Sequence, residues 1–587
     1  MVNQSLRRRD MTTKIRLKDA YKTYTRDQDK ILPPEETIRR LKEKLQRLDL
    51  KILDRTVRID NGRLDIPVFF SYCGRDAAEL TGTRKQMGKG ATPEQAEASA
   101  VMELAERFSF FSFANNPDNF ISARMRDIRE EALSFEWIAK SVHDTSSDLE
   151  ASQSIFENLP LQWTRAYNLT GQKELMIPFD WFYAINAFNG PSAGNCAEEA
   201  LCQGICEIVE RHTSSIISHN RLVRPAINPD SATDALVVEM LEKYRKAGIK
   251  IYLTDFTLDL GIPTVGALAY DPSTFPEKSE IVWTAGTTPN PEKALSRALT
   301  EVAQLAGDFN SGTNYVASGL PKFTRIEDVA FVTQPDQTVD IASLPDISSD
   351  NIRVEVENCI SELAARDLPV IVVNTTHSLI DIPAYYTIVP GAHFRERALN
   401  TSVGMFSAKL IAEKLVPQDA IQSLEALERK LPRKYYVSFY LGVCQLKLNA
   451  PVEALNHFQV ALERQPNRQD IAAIYSYMGI AYRDMGHYRD ALAVLRKGER
   501  YDQERTDIYN LMGYCHFKLK EHEEAIRCFE KVIALDPSSA IDYANIASNY
   551  RDLGQKDMAV RYYLMALEID PSIIFAQQNL EKMIKGL

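Results

Sequence analysis

The chain has 587 residues, 45% hydrophobic and 25% charged, with a formal net charge of −11 and a pI near 5.5. This length exceeds one ordinary core and calls for two or three domains. The acidity excludes nucleic acid as the main partner, because phosphate binding needs a basic surface, and no run approaches the roughly 20 apolar residues of a membrane span.

The N-terminus carries Arg7-Arg8-Arg9 with no apolar segment behind it, unlike a secretory signal. The eight cysteines are scattered, without a Cys-x-x-Cys pair or a His-rich cluster, so zinc is not expected and a reducing cytoplasm is the expected location. From Pro33 the text Pro-Pro-Glu-Glu-Thr-Ile predicts a helix, with prolines at its entry and acids in its first turn.

A twenty-residue pattern begins at Gly88 and recurs at Ser192 and Gly286. Aligned without gaps, Ser99, Gln203 and Arg297 form one column, and Glu103, Glu207 and Glu301 another. Glu106-Arg107 matches Glu210-Arg211, where the third copy has Gln304-Leu305. Thr92-Pro93 and Asn290-Pro291 are helix starts, a polar cap followed by Pro. The helix behind Thr92 sets Ser99, Glu103, Glu106 and Arg107 on one face, and Gln203, Glu207, Glu210 and Arg211 repeat that spacing.

One such Glu–Arg pair is an ordinary solvated helix pair. Repetition, with the small residues Ala100, Gly204 and Ala298 beside the acids, points instead to helices packed closely with carboxylates in register. Gathered carboxylates repel one another unless a cation compensates. Oxygen-only ligands suit magnesium, magnesium suits a polyphosphate, and the arginines suit its remaining oxygens. No Walker A sequence occurs, and Gly88-Lys89-Gly90 is too short for a phosphate loop, although it can form a tight turn that presents Lys89. Cys202 and Cys206 read as small hydrophobes on the stripe of Leu201, Ile205 and Val209.

Apolar runs at 281–283, 369–373 and 386–389 suit buried strands, and 254–265 reads as two extended pieces around Gly261-Ile262-Pro263. Ser-, Asp- and Pro-rich text from about 310 to 360 suggests surface loops. His393 to Arg397 reads as a solvated charge cluster, and Gln418 to Lys434 as a helical connector. Beyond it a helical repeat starts. Gly442, Gly479, Gly513 and Ala547 each precede Ala454, Ala491, Ala525 and Ala559 by twelve residues, followed by Phe458, Leu495, Phe529 and Tyr563. Pro466, Pro537 and Pro571 close three of the units, which resemble tetratricopeptide repeats, whose usual consequence is a concave surface for a peptide or protein.

The triple pattern resembles the YcaO family, known for ATP- and magnesium-dependent modification of peptide backbone amides. The family's motifs are filled by Ser99/Glu103/Glu106/Arg107, by Asn195/Glu199/Gln203/Glu207/Glu210/Arg211 and by Arg297/Glu301. The resemblance implies an α+β fold: a catalytic domain over 1–415 with helices packed on mixed β-sheets, a helical linker over 416–433, and an all-α repeat solenoid over 434–587 of about four repeats plus a capping helix. It implies ATP binding by Lys18, Ser99, Arg107, Asn195, Glu199, Gln203, Arg211 and Arg297, and Mg2+ binding by Glu103, Glu106, Glu207, Glu210 and Glu301. Lys18, with Thr25 seven residues on, is the nearest match to an N-terminal lysine that reaches the nucleotide in the family.

The implied reaction is O-phosphorylation of an amide, leading to a thioamide or an azoline. Azoline-forming members commonly end in a Pro-rich tail, whereas this chain ends Glu-Lys-Met-Ile-Lys-Gly-Leu, which gives weight to thioamidation. The expected partners are a peptide or protein substrate, a protein recruited by the repeats, and a second copy in a homodimer. The alternative is a nucleotide-binding accessory or scaffold protein that works through its repeats.

Overall fold

A computed structural model describes residues 14–48, 50–60, 62–276, 279–306, 323, 325–394, 401–536 and 539–585. The N-terminal arginines, Arg395, Arg397 and Pro537 lie outside the described residues. Contacts divide the chain into two compact units, one from residues up to 144 and from 160 to 394, the other from 145–159 and from 401 onward.

The first unit contains three sheets. Strands β1 (Leu53–Arg58), β2 (Val68–Cys73) and β3 (Lys85–Lys89) form an antiparallel sheet in that order. A six-stranded sheet takes β4 (Ile121–Ala123), β5 (Leu161–Asn168), β6 (Lys173–Pro178), β7 (Pro191–Ala193), β13 (Ile371–Asn374) and β14 (Ala384–Ile388), ending on β7. A five-stranded sheet takes β8 (Ala226–Ile227), β9 (Lys250–Asp255), β10 (Thr264–Tyr270), β11 (Val282–Thr287) and β12 (Thr338–Val339), ending on β11. Its β8–β12 pair is parallel and the others antiparallel, so the sheets are mixed as expected. The apolar runs at 281, 369 and 386 became β11, β13 and β14, and the pieces around Gly261 became β9 and β10. The stretch expected to loop out to about 360 carries β12, and a helix starts inside it at Ile352, capped by the Asn351 side chain.

Helix α1 (Pro34–Arg47) starts behind Pro33 as predicted. The three copies of the sequence pattern are three strand–helix units, each led by a terminal strand of a different sheet. β3 leads into α2 (Pro93–Ala114), β7 into α3 (Ala197–Asn220) and β11 into α4 (Pro291–Ala306). Local capping starts each helix. Thr92 Oγ1 accepts from the Gln95 N–H (3.3 Å), Cys196 Sγ from that of Glu199 (3.5 Å), and Asn290 Oδ1 from that of Lys293 (3.1 Å).

One steric device holds strand to helix in all three units. Each has a glycine in a pair of facing positions: Gly88 with Ala100, Ser192 with Gly204, and Gly286 with Ala298. A Cβ at Gly88 would lie 2.5 Å from Ala100 Cα, one at Gly204 2.7 Å from Ser192 Oγ, and one at Gly286 2.5 Å from the Ala298 nitrogen. In the first and third units the backbones therefore approach as no larger residue would allow, and in the second Gly204 leaves room for the Ser192 and Thr387 hydroxyls. The apolar faces behind them, such as Val101 and Leu104, Ile205 and Ile208, and Leu295 and Leu299, are buried.

The second unit is helical. Helix pairs Tyr435–Lys447 with Pro451–Glu463, Arg468–Asp484 with Tyr488–Glu499, Thr506–Lys518 with His522–Leu535, and Ala540–Asp552 with Lys556–Ile569 pack as four antiparallel hairpins, followed by Ile574–Lys585. Gly442, Gly479 and Gly513 sit against Phe458, Leu495 and Phe529, and Ala454, Ala491, Ala525 and Ala559 are fully buried. Adjacent repeats are tied by aspartates: Tyr435 Oη donates to Asp470, Ser476 Oγ to Asp507 (2.6 Å) and Asn510 Nδ2 to Asp542 (2.6 Å). The connector exists as helix Pro417–Lys430. Helix Leu149–Phe156, distant in sequence, packs on helix Val403–Lys414, and Lys430 Nζ donates to Ser154 Oγ (2.8 Å). No helix among the described residues is long and apolar enough to cross a membrane.

Candidate functional site

The three strand–helix units wall a cavity of about 300 Å³. α2 contributes Ser99, Glu103, Glu106 and Arg107; α3 contributes Glu199, Gln203, Glu207 and Arg211; α4 contributes Arg297, Thr300, Glu301 and Gln304. Asn195 on the loop before α3, and Met87 and Lys89 on β3, also line it, as do Gln28, Lys30 and Thr37. The cavity thus unites every expected site residue except Lys18 and Glu210. Lys18 has an exposed side chain, and its backbone N–H donates to Glu198 Oε1 (2.6 Å). Thr25, its companion, lines a separate polar cleft.

Glu210 is 2% exposed and lies behind the wall. Its Oε2 accepts from Arg297 Nε (3.1 Å), while Arg297 Nη1 donates to Gln203 Oε1 (2.9 Å), so one guanidinium couples α4 to two residues of α3. Both oxygens of Glu199 are also engaged. Oε1 accepts from the Ile31 N–H (2.6 Å), and Oε2 from the backbone N–H (2.9 Å) and Nδ2 (3.0 Å) of Asn195. Thr37 Oγ1 donates to Asn195 Oδ1 (3.1 Å). Asn195 and Glu199 therefore tie α1 and the segment before it to the start of α3.

Electrostatically the cavity alternates acids and bases. Arg107 lies 3.7 Å from Glu103 and 3.6 Å from Glu106, Arg211 lies 3.9 Å from Glu207 and from Glu210, and Lys89 pairs with Glu301. Burial pushes the Glu103, Glu106 and Glu207 carboxyls up, against the pull of the arginines. Glu106 is raised furthest, because the charges of Glu103 and Glu207 add to its burial. Burial lowers Lys89 to about 7, with Arg297 repelling it further.

Among the described residues, no three acidic, His or Cys side chains close into a metal cage. The resident cations stand between the carboxylates instead. The donors nonetheless fit magnesium, which prefers one or two carboxylates together with substrate phosphates over an all-protein cage. Two observations support that fit. Lys89 pairs with Glu301, and the buried Nε of Arg211 has no hydrogen-bond partner among the described residues. The second is a donor in want of an anion.

A family model described as YcaO cyclodehydratase, ATP- and Mg2+-binding, matches residues 87–393. The chain belongs to the YcaO family. ATP and Mg2+ are accordingly its cofactors. Tetratricopeptide models match 417–468, 506–539 and 543–573, the first taking in the connector helix. An uncharacterized protein of Methanothermobacter thermautotrophicus is 29% identical over 379 residues, which is 61% of this chain and 93% of that one. The ribosomal protein S12 methylthiotransferase accessory factor YcaO of Escherichia coli is 27% identical over 247 residues, covering 38% of this chain and 40% of the relative. A heterocyclase solved in complex with substrate and cofactor has the same fold, with a TM-score of 0.52 at 22% identity, over 65% of this chain and 54% of that chain.

Lys89, expected on a tight turn, is presented instead by the end of β3, and motif reasoning in this YcaO chain left it off the site and missed Thr37, Thr300 and Gln304 as lining residues. Two of them left a trace. Lys89 is framed by glycines, and Gln304 occupies the column of Glu106, from which its Nε2 donates to the Met87 carbonyl (3.3 Å). Cys202 and Cys206 pack in the core beside Leu201 and Ile205, and contact among the Cys202, Cys206 and Cys359 thiols together with burial keeps all three well above the usual range. Such thiols are inert.

Proposed function

We propose that this YcaO chain uses ATP and Mg2+ to activate a backbone amide of a peptide or protein, giving a thioamide or an azoline, and that its repeat unit recruits the substrate or a partner. The observation that carries this reading is the single cavity in which three strand–helix units present carboxylates and cations in one register.

An amide carbonyl is a poor electrophile because its nitrogen donates into it. In the proposed step the carbonyl oxygen bonds to the γ-phosphorus and the bond to ADP breaks. A thiol, hydroxyl or sulfide then attacks the activated carbon and loses its proton, and phosphate leaves; closing an azoline also releases the amide N–H proton to form the C=N bond, whereas a thioamide keeps it. The chain contributes orientation and charge. Arg107, Arg211, Arg297 and Lys89 hold phosphate oxygens, and Ser99, Asn195 and Gln203 position the nucleotide. Glu103, Glu106, Glu207 and Glu301 would hold Mg2+, which would supply further neutralisation of the polyphosphate. Glu210 acts as a positioning residue that aims Arg297, and Glu199 as one that fixes Asn195.

Calorimetric titration with ATP, with and without MgCl2, tests the site. Glu103→Ala, Glu207→Ala and Glu301→Ala should each abolish the Mg2+-dependent binding while leaving thermal unfolding cooperative. Unchanged binding in all three refutes the assignment. Phosphate release on adding a modifiable peptide then separates an enzyme from a nucleotide-binding accessory protein.

A further inference from the structure

The β1–β2–β3 sheet has a second face that the nucleotide cavity uses only at one end. α2 covers the first face, where Ser71 Oγ donates to the Ala100 carbonyl (2.7 Å) and Thr56 Oγ1 to Glu97 (2.8 Å). Alternation along the strands puts the neighbours of these residues on the other face. The register arranges them in rows: Arg55, Tyr72 and Lys85; then Val57, Phe70 and Met87; then Val68 and Lys89. Met87 and Lys89 line the cavity, whereas Arg55, Val57 and Lys85 are exposed. On this face, between the two groups, Phe70 and Val68 are buried, Phe70 with the Lys85 ammonium over its ring.

Its chemistry is aromatic and cationic. The Arg55 guanidinium lies 4.3 Å from the Tyr72 ring centroid, and Lys85 Nζ 4.2 Å from that of Phe70. Asp54, the chain neighbour of Arg55, pairs with it at 2.6 Å. Lys85 has no carboxylate partner among the described residues. A cation held over a ring and short of a counter-charge suits an acidic side chain from outside. β1, one of the two ends of the sheet, is bulged between Leu53 and Arg55, which discourages strand addition there.

We propose that this face docks the polypeptide substrate and selects a segment with acidic side chains about four residues from the amide presented to the cavity. The proposal rests on the amide-activating reading above. Lys85 and Lys89 are four residues apart on one strand, about 13 Å at ~3.3 Å per residue. An extended substrate rises by the same amount per residue. With its reacting amide near Lys89, a side chain four residues along lies over Arg55 and Lys85.

The test uses the full chain with ATP and MgCl2 and a degenerate peptide library, reading which residues are enriched among bound peptides. Asp and Glu should be enriched. R55E/K85E should invert the preference to Lys and Arg, and R55Q/K85Q should abolish it, both with wild-type ATP affinity by calorimetry. An acidic peptide from the wild-type selection should lose at least ~10-fold in affinity on the charge reversal. No charge preference in the wild type, or the same acidic preference in R55E/K85E, overturns the proposal. Acidic peptides that bind and respond to the reversal but trigger no phosphate release support the docking face and refute amide activation, so the two failures are distinguishable.

Discussion

Arg297→Met is the sharpest probe of what keeps the three helices in register. The guanidinium is 14% exposed and bonds Glu210 Oε2 at 3.1 Å and Gln203 Oε1 at 2.9 Å, and Glu210 is itself 2% exposed. Removing one member of a buried charge pair costs about 3–5 kcal/mol, mostly through the charge left uncompensated. Arg211 stands 3.9 Å from the other oxygen of Glu210 and continues to compensate part of that charge. The loss should therefore fall at the low end, about 3 kcal/mol. Urea unfolding followed by tryptophan fluorescence measures it cleanly, because Trp137, Trp163, Trp181 and Trp283 all belong to the first unit. The double variant E210Q/R297M should recover about half of the loss, since the stranded charge is gone. A single-variant loss below about 1 kcal/mol, or no recovery in the double variant, refutes the coupling.

Lys89→Met should weaken ATP binding by ~10-fold or more, about 1.4 kcal/mol, and Lys89→Arg should retain most of it; calorimetry decides. Gly88→Ser should destabilise the first unit by about 2 kcal/mol or more, because its Cβ meets the α2 backbone at Ala100, whereas Ser192→Gly at the matching position should be mild; tryptophan-monitored melts compare them. His212 is 9% exposed, and burial together with the neighbouring His393 and His143 lowers it to about 3. The unfolded chain binds that proton near pH ~6.5, so this contribution is complete above about 6.5 and is lost as pH falls towards the native value, by about 2 kcal/mol at pH ~5. Urea unfolding against pH should show that slope, and His212→Asn should reduce it to the part left by His393, which burial lowers to about 4.

The spacing of polar and small residues made the three helices, the caps Thr92 and Asn290 and the repeat solenoid legible in the sequence, because each depends on neighbours within a turn or two of chain; the Cys196 cap was not read. Ser99, Glu103, Gln203, Glu207, Arg297 and Glu301 were legible for the same reason. A helix that buries one face must present the residues opposite it.

What the sequence could not decide was which of these side chains meet. The three units come from the ends of three different sheets, and only their packing shows that Glu210 turns behind the wall to Arg297, that Glu199 is spent on Asn195 and Ile31, and that Lys89 rather than Lys18 enters the cavity. Likewise, nothing local marks helix Leu149–Phe156 as part of the second unit. The sequence determined the local periodicities and the residue types that ATP and Mg2+ require. The tertiary structure alone decided which side chains meet, because hydrogen-bond partners far apart in the chain compete for the same oxygens, and the competition is settled only when the helices pack.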